Sequence, residues 1–269
     1  MSFSAQWLAL REPYDLAARN RDVLAAVARV FADRGSVGIV DLACGTGSTL
    51  RALSPRLLPA RQDWRLVDND LGLLSQARSN PVPPGVTVAA APVDLARDLE
   101  LALDGPLDLV TTSALLDLVS ADWLERLAVE AAARRLPIYA ALSYDGRAVL
   151  DPAEGQDAAV VAAVNRHQKG NKGFGPALGP DAAARAIERF ASVGYTIMQG
   201  RSDWVFGPDD RDIQAQIVAG WAEAASEAET SAKLDIPTWL TGRRRWIADG
   251  RSSIRVGHID FFARPAGTR

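Results

Sequence analysis

Val40-Asp41-Leu42-Ala43-Cys44-Gly45-Thr46-Gly47 is the stretch from which the fold is read. It closes an apolar run over residues 37–42, the pattern of a short strand, at an acidic residue and two glycines. Gly45 and Gly47 let backbone approach a ligand with no Cβ in the way. Behind them Leu50, Leu53, Leu57 and Leu58 recur at helical spacing, so the turn opens a helix over residues 47–58 whose first amides attract negative charge. Strand, glycine turn and helix in that order place a ligand at the carboxyl end of a strand, where open α/β sheets hold their ligands. Taken alone, the signal is common to several cofactor-binding classes.

Working outward, Val23, Leu24, Val27, Val30 and Phe31 predict a helix with Gly35 as its C-cap. Strands are expected over 64–68, 86–91, 107–112 and 136–143, the last with the continuous apolar character of a strand buried on both faces. Asp70 is placed to cap a helix carrying Leu73, Leu74 and Ala77, and Ser120 or Asp122 to start an alanine-rich helix ending near Arg135. The regularity breaks after Tyr144. A helical patch over 158–164 leads into a Gly/Lys/Asn/Pro-rich stretch, then come a helix over 180–193 and one strand over 195–206. Helices over 213–228 and 236–248 precede a final strand over 253–263. This alternation predicts a doubly wound, mostly parallel, Rossmann-like α/β sheet. A single domain is expected over 1–269, with its core at about 20–145, 180–206 and 253–263. Helical cap insertions are expected at about 1–19, 146–179 and 207–252.

The chain has 269 residues, 48% of them hydrophobic, enough for a sizeable core. A net charge of −3 with mixed signs argues against a dedicated nucleic-acid surface. Cys44 is the single cysteine, which excludes an intrachain disulfide, and it reads as a small packing residue in the loop. With His167 and His258 it makes no convincing zinc set, so no metal is expected. No apolar stretch has the length of a membrane span. Arg11, Glu12 and Asp15 follow Trp7, Leu8 and Leu10 too closely for a secretory or transit signal, so a cytoplasmic protein is expected.

Three acidic residues at predicted strand ends narrow the ligand. Asp68 ends the second strand about 20 residues past the glycines, the spacing of a carboxylate that grips a ribose diol. Asp94 follows the third strand and Asp117 the fourth. A dinucleotide fingerprint needs a third glycine where Leu50 stands, and no Gly-Lys-Ser/Thr follows the loop.

In these motifs the chain resembles the class I S-adenosylmethionine (SAM)-dependent methyltransferases. Asp41–Gly47 is similar to the family's first motif, with Ala43 in place of the first glycine. The sequence Leu66-Val67-Asp68-Asn69-Asp70 resembles the second motif and Pro92-Val93-Asp94-Leu95 the third. Residues 108–117, which include Ser113 and Asp117, resemble the fourth. The resemblance implies a seven-stranded sheet with its last strand antiparallel. It implies SAM as cofactor, held by Asp41, Ala43, Cys44, Gly45, Gly47, Asp68, Asn69, Asp94, Leu95, Ser113 and, from the N-terminal segment, Arg19. Asp68 would hold the ribose hydroxyls and Asp94 the adenine amino group.

For the methyl acceptor, Tyr14, Asp117 and Lys172 are the expected contacts, and His167 in the basic, glycine-rich 165–175 stretch is the expected catalytic base or donor. His258 reads as packed, and Arg243-Arg244-Arg245 as a solvated helix face. Trp204, Trp221, Trp239 and Trp246 read as core or cap packing with room for one to line an apolar pocket. The Asn/Asp-Pro-Pro-Tyr signature is absent after the fourth strand, where Thr112-Ser113-Ala114-Leu115 stands. The expected activity is methyl transfer to an oxygen or nitrogen of a small-molecule metabolite. The expected partners are that acceptor and, in a homodimer, a second copy of the chain; neither membrane nor nucleic acid is expected. The alternatives are a nicotinamide-dependent oxidoreductase and a non-catalytic SAM-binding regulatory protein.

Overall fold

The computed structural model describes residues 3–228 and 234–267. Residues 1–2, 229–233 and 268–269, which fall in the expected N-terminal cap segment, the second insertion and the C-terminus, lie outside the described residues.

Strands β1 (Ser36–Leu42), β2 (Arg61–Asp68), β3 (Val86–Pro92), β4 (Leu109–Ser113) and β5 (Ile138–Asp151) are parallel. The chain ends with β6 (Tyr195–Arg201), β7 (Trp204–Phe206) and β8 (Ser253–Pro265). The sheet order is β3-β2-β1-β4-β5-β8-β6, with β8 antiparallel to both neighbours and β7 paired on β8. The sheet thus has eight strands rather than seven, because the strand expected over 195–206 divides. At the division Ser202 N–H donates to the His258 carbonyl at 2.9 Å, and the Asp203 carboxylate takes the His258 N–H and the Arg147 guanidinium. At Asp203 side-chain bonding thus replaces ladder bonding.

β5 is longer than the apolar run predicts. Its second half, Ala148–Asp151, pairs with Ser253–Val256 beyond the parallel core, after register shifts between Ala140 and Ala148. This β5–β8 extension carries the helical additions.

The helices are α1 (Ala5–Ala18), α2 (Arg21–Val30), α3 (Ser48–Leu53), α4 (Leu71–Ser79), α5 (Leu99–Ala102), α6 (Ala121–Arg134), α7 (Asp157–His167), α8 (Ala182–Ser192), α9 (Arg211–Glu227) and α10 (Ile236–Ala248). Side chains cap several of them. Asp70 accepts from Gly72 and Leu73 N–H, and Ser120 from Trp123 N–H. Gly35 is not the C-cap of α2: the helix ends at Phe31, whose ring stays in the core while its backbone turns away. The helix expected over 47–58 stops at Leu53 and passes into a 3-10 turn, Ser54–Arg56, that contains Pro55.

Two apolar layers cover the sheet. Val23, Val27, Leu50, Leu53 and Leu74 pack on one face, and Leu99, Leu124, Leu127, Ala186 and Phe190 on the other. Leu50, the residue that displaces the dinucleotide glycine, is buried in the first layer, worth about 2 kcal/mol. A third cluster joins Tyr144, Leu150, Val160 and Val164 to Trp204, Phe206, Ile217 and Trp239, with Trp7, Leu10 and Tyr14 of α1 packed on it. Residues of the three expected cap segments therefore pack in one cluster, together with Tyr144, Trp204, Phe206, Ile254 and Val256 of the expected core segments. Among the described residues no helix is long and apolar enough to cross a membrane.

Candidate active site

The turn after β1 is held in left-handed backbone at Ala43 (φ 53°), Gly45 (φ 53°) and Gly47 (φ 84°). Ala43 takes a conformation that a glycine would adopt without strain. Two anchors fix it there. Cys44 N–H donates to the Val67 carbonyl at 2.9 Å, and Gly45 N–H donates to Asp68 Oδ2 at 2.9 Å. Asp68 Oδ1 accepts the Asp70 N–H at 3.0 Å. A carboxylate offers about four lone-pair directions, so two remain for a ligand. At Gly45 a Cβ would come within 3.2 Å of the Leu8 methyl, so α1 packs tightly on the turn.

α1 is fastened over this turn by charge. Arg51 of α3 forms a two-point ion pair with Glu12 (2.5 and 2.7 Å) and donates to the Thr46 carbonyl at 2.6 Å. Arg11 pairs with the buried Asp15 at 2.9 Å, and Asp15 Oδ1 accepts the Trp204 indole N–H at 2.9 Å.

Beneath α1 lies a cavity of about 180 Å³ lined by Ala43, Gly45, Asp68, Asn69, Asp94, Leu95 and Ser113, among others. The structure therefore brings seven of the expected cofactor residues around one space. It continues past Leu8, Arg11 and Ser113 into a recess of about 40 Å³ that also meets Asp15, Cys44, Thr46 and Thr49. Asn69 is exposed and Asp94 half-buried; the Asp94 carboxylate accepts the Ala96 N–H and pairs with Arg97, both at 3.0 Å.

Three expected cofactor residues stand behind the wall instead of on it. Gly47 provides the left-handed residue that starts α3. Arg19 is buried, donating to Tyr139 (3.2 Å), Thr49 (3.3 Å) and Ser113 (3.4 Å), so it orders the wall from below. Asp41 is fully buried, with Oδ1 accepting from Thr111 at 2.7 Å and Oδ2 unpartnered. Burial pushes its carboxyl up to about 7, against the pull of the Thr111 hydroxyl and the Arg19 charge. Burial also pushes the Cys44 thiol far up, which suits a packing residue and not a nucleophile.

A second cavity, of about 560 Å³, adjoins the first under the cap. Phe3, Arg11, Ala114, Leu118 and Lys172 line both. Trp7, Tyr144, Trp204 and Trp221 give it aromatic walls, and Asp117, His167 and His258 add titratable groups. Asp117 is buried with Oδ1 unpartnered, and burial pushes it up to about 6 while nearby backbone N–H groups and Arg11 oppose the rise. His167 is on the wall, but both ring nitrogens are engaged: Nε2 with Glu227 at 2.9 Å and Nδ1 with Lys172 Nζ at 3.3 Å. In this arrangement His167 has no open lone pair and instead holds Lys172, whose ammonium is shifted down by burial. Tyr14 is not brought to either cavity; its hydroxyl donates to Asp210 at 2.7 Å and its ring packs edge-on against Phe206.

Sequence reasoning missed two features. His258 lines the second cavity while buried, a placement that depends on the pairing of β8 with β5 and has no local motif. Arg243 is not on a solvated face. Its guanidinium is fully buried, paired with Asp157 and donating to the Pro152 carbonyl at 2.7 Å, while Arg244 and Arg245 remain exposed.

No family model and no curated protein matches the chain. Solved structures do. A cyclopropane-fatty-acyl-phospholipid synthase-like protein from Lactobacillus casei is 15% identical, with a TM-score of 0.54 over 98% of this chain and 94% of its own. The cyclopropane synthase MmaA2 from Mycobacterium tuberculosis is 12% identical, with a TM-score of 0.50 over 97% and 94%. YcgJ from Bacillus subtilis is 12% identical, with a TM-score of 0.50 over 93% and 100%. With the strand order above, these neighbours settle the architecture. The chain has the class I methyltransferase fold. Within that fold, the turn after β1 and the ends of β2, β3 and β4 all face the first cavity, and the cap covers the second.

Proposed function

We propose that the protein transfers the methyl group of SAM to an oxygen or nitrogen of a small molecule. The observation that carries this reading is the pairing of two cavities. One has a glycine turn and a β2 carboxylate in its wall, and a larger aromatic one meets it at Phe3, Arg11, Ala114, Leu118 and Lys172. The residues fit the cofactor. Asp68 keeps two lone-pair directions for a ribose diol, and Asn69, Asp94 and Leu95 follow along the wall where adenine would lie. The recess is lined by Arg11 and Asp15, which pair with each other at 2.9 Å.

Bound SAM supplies an electrophilic methyl on a sulfonium. The chain's own part is alignment and exclusion of water. α1 and the cap line both cavities, Ser113 and Ala114 form the wall at the end of β4, and Lys172 stands at the junction. A methyl transfer from SAM would leave the C–S electron pair on sulfur and release the acceptor's proton to a neighbouring base or water.

The cyclopropane synthase names of two neighbours are not carried over to this chain. A hydrocarbon acceptor would offer nothing to the polar groups of the second cavity's wall, His167, Lys172 and His258 among them. Calorimetry with SAM, its demethylated product S-adenosylhomocysteine (SAH) and NADH tests the reading. SAM and SAH are expected to bind and NADH not to; NADH binding without SAM binding would overturn it.

A further inference from the structure

Two donors of Arg11 stand unused among the described residues. Its Nε donates to Asp15 Oδ2 at 2.9 Å, and Asp15 Oδ1 takes the Trp204 indole N–H at 2.9 Å, so the guanidinium is held in one place. Its Cζ lies 5.5 Å from the centre of the Trp204 ring, which it covers together with the His258 ring, 4.7 Å away. Among the described residues no group bonds Nη1 or Nη2, and neither nitrogen is buried.

Arg11 lines both cavities, but its head stands on the side of the second. Trp204 and His258 line the second and not the first. Burial, with the Arg11 charge next, holds His258 down at about 3, and Arg11 also opposes the rise of Asp117, again a residue of the second cavity and not the first. The acidic residues of that cavity leave the fork unanswered. Asp117 makes no bond to Arg11, Glu227 is taken by His167, and Glu223 is exposed on α9. Lys172, the other cation shared by the two cavities, has no carboxylate partner among the described residues; its Nζ meets His167 Nδ1 at 3.3 Å.

We infer that Arg11 selects a methyl acceptor that carries a carboxylate, received end-on by Nη1 and Nη2 in the second cavity, with Lys172 as a second cation on its wall. The planar fork matches the two oxygens of a carboxylate, and a guanidinium already held by Asp15 and Trp204 loses little freedom on binding. A neutral molecule of the same shape would cover the fork without a charge to meet it, which makes Arg11 a specificity-determining residue. A volume of about 560 Å³ admits a small acid. SAM also ends in a carboxylate, and Arg11 borders the recess as well; the cofactor arm of the test separates the two sources. This inference rests on the methyltransferase reading only for calling the occupant the methyl acceptor.

The probes are benzoate and benzamide, of one size and shape, with and without the charge. Each is titrated by ligand-observed NMR into the ligand-free and the SAH-treated protein. Benzoate is expected to bind at least about tenfold tighter in both. Arg11→Gln is expected to abolish that preference, and Arg11→Lys, which keeps the charge and not the fork, to restore only part of it. SAH affinity, measured by calorimetry, is expected to stay within about threefold in Arg11→Gln, less than the loss of one charge-assisted bond. Equal affinities, no binding of either probe, or a preference that survives Arg11→Gln would overturn the inference. So would a loss of SAH affinity of about tenfold or more in that variant, which places the cofactor's carboxylate on the fork. If a variant fails to fold, the comparison in the unaltered protein decides alone. A protein that prefers benzoate but gives no SAH heat keeps the inference about the cavity and loses the cofactor reading.

Discussion

Asp68 Oδ2 accepts the backbone N–H of Gly45 across 2.9 Å, so one carboxylate ties the turn after β1 to the end of β2. The same group faces the first cavity. Asp68→Ala should therefore weaken SAH binding by about 1–3 kcal/mol, through the lost ligand bond and a looser turn. Asp68→Asn keeps an acceptor for Gly45 and should lose less. Calorimetric titration of the three proteins checks this; unchanged affinity in Asp68→Ala would remove Asp68 from the ligand wall.

Asp41 should give the ligand-free protein a stability that declines as pH rises. Its carboxyl stands at about 7 when folded against 3.8 ordinarily. Below about pH 4 it is protonated in both states and contributes no slope. Between there and about pH 7 the folded chain keeps a proton that the unfolded chain releases, so stability falls, and above that window the cost is complete. Asp117, at about 6, acts with the same sign over a narrower window. Asp41→Asn should gain on the unaltered protein between about pH 4 and pH 8, by at most about 4 kcal/mol. Urea denaturation at the two pH values measures this gain, and an equal difference at both would contradict it.

Arg243 and Asp157 should be the most sensitive pair in the cap. Asp157 Oδ1 also accepts the Trp239 indole N–H at 2.8 Å, so the ion pair joins α10 to α7. Asp157→Ala leaves a buried guanidinium uncompensated and should cost about 3–5 kcal/mol. Replacing both partners by Leu should recover part of that. Thermal unfolding of the single and double variants checks it; a loss under about 1 kcal/mol for Asp157→Ala would show that the pair is solvated.

His167→Ala should leave SAH affinity within about twofold, because the imidazole lines only the second cavity. Its stability cost should be under about 1 kcal/mol, since its partner Glu227 is mostly exposed. Calorimetry and urea denaturation test both, and a tenfold loss of SAH affinity would place His167 in the first cavity.

The site half built from consecutive residues was legible in the chain, and the half assembled across it was not. Turn, strand ends and caps obey local rules, so Gly45, Asp68, Asn69, Asp94 and Leu95 could be placed from spacing and resemblance. His258 and Arg243 take their meaning from partners distant in sequence, Tyr144 and Asp157, which no periodicity connects to them. Arg19 shows the same limit in reverse. A basic residue after an N-terminal helix reads as a ligand contact, but burial beside Tyr139 makes it a strut. The division of β6 from β7 also depended on a distant residue, because Asp203 needs Arg147 to draw the chain out of its ladder.

α1 has a kinetic consequence. Phe3, just ahead of it, and Arg11 wall both cavities, while Tyr14–Asp210 and Asp15–Trp204 bind the helix to α9 and β7. Any displacement that admits one ligand also reshapes the chamber of the other. Turnover on this framework should be sequential, with both reactants aboard before either product departs, and one rate of helix release should limit the exit of both.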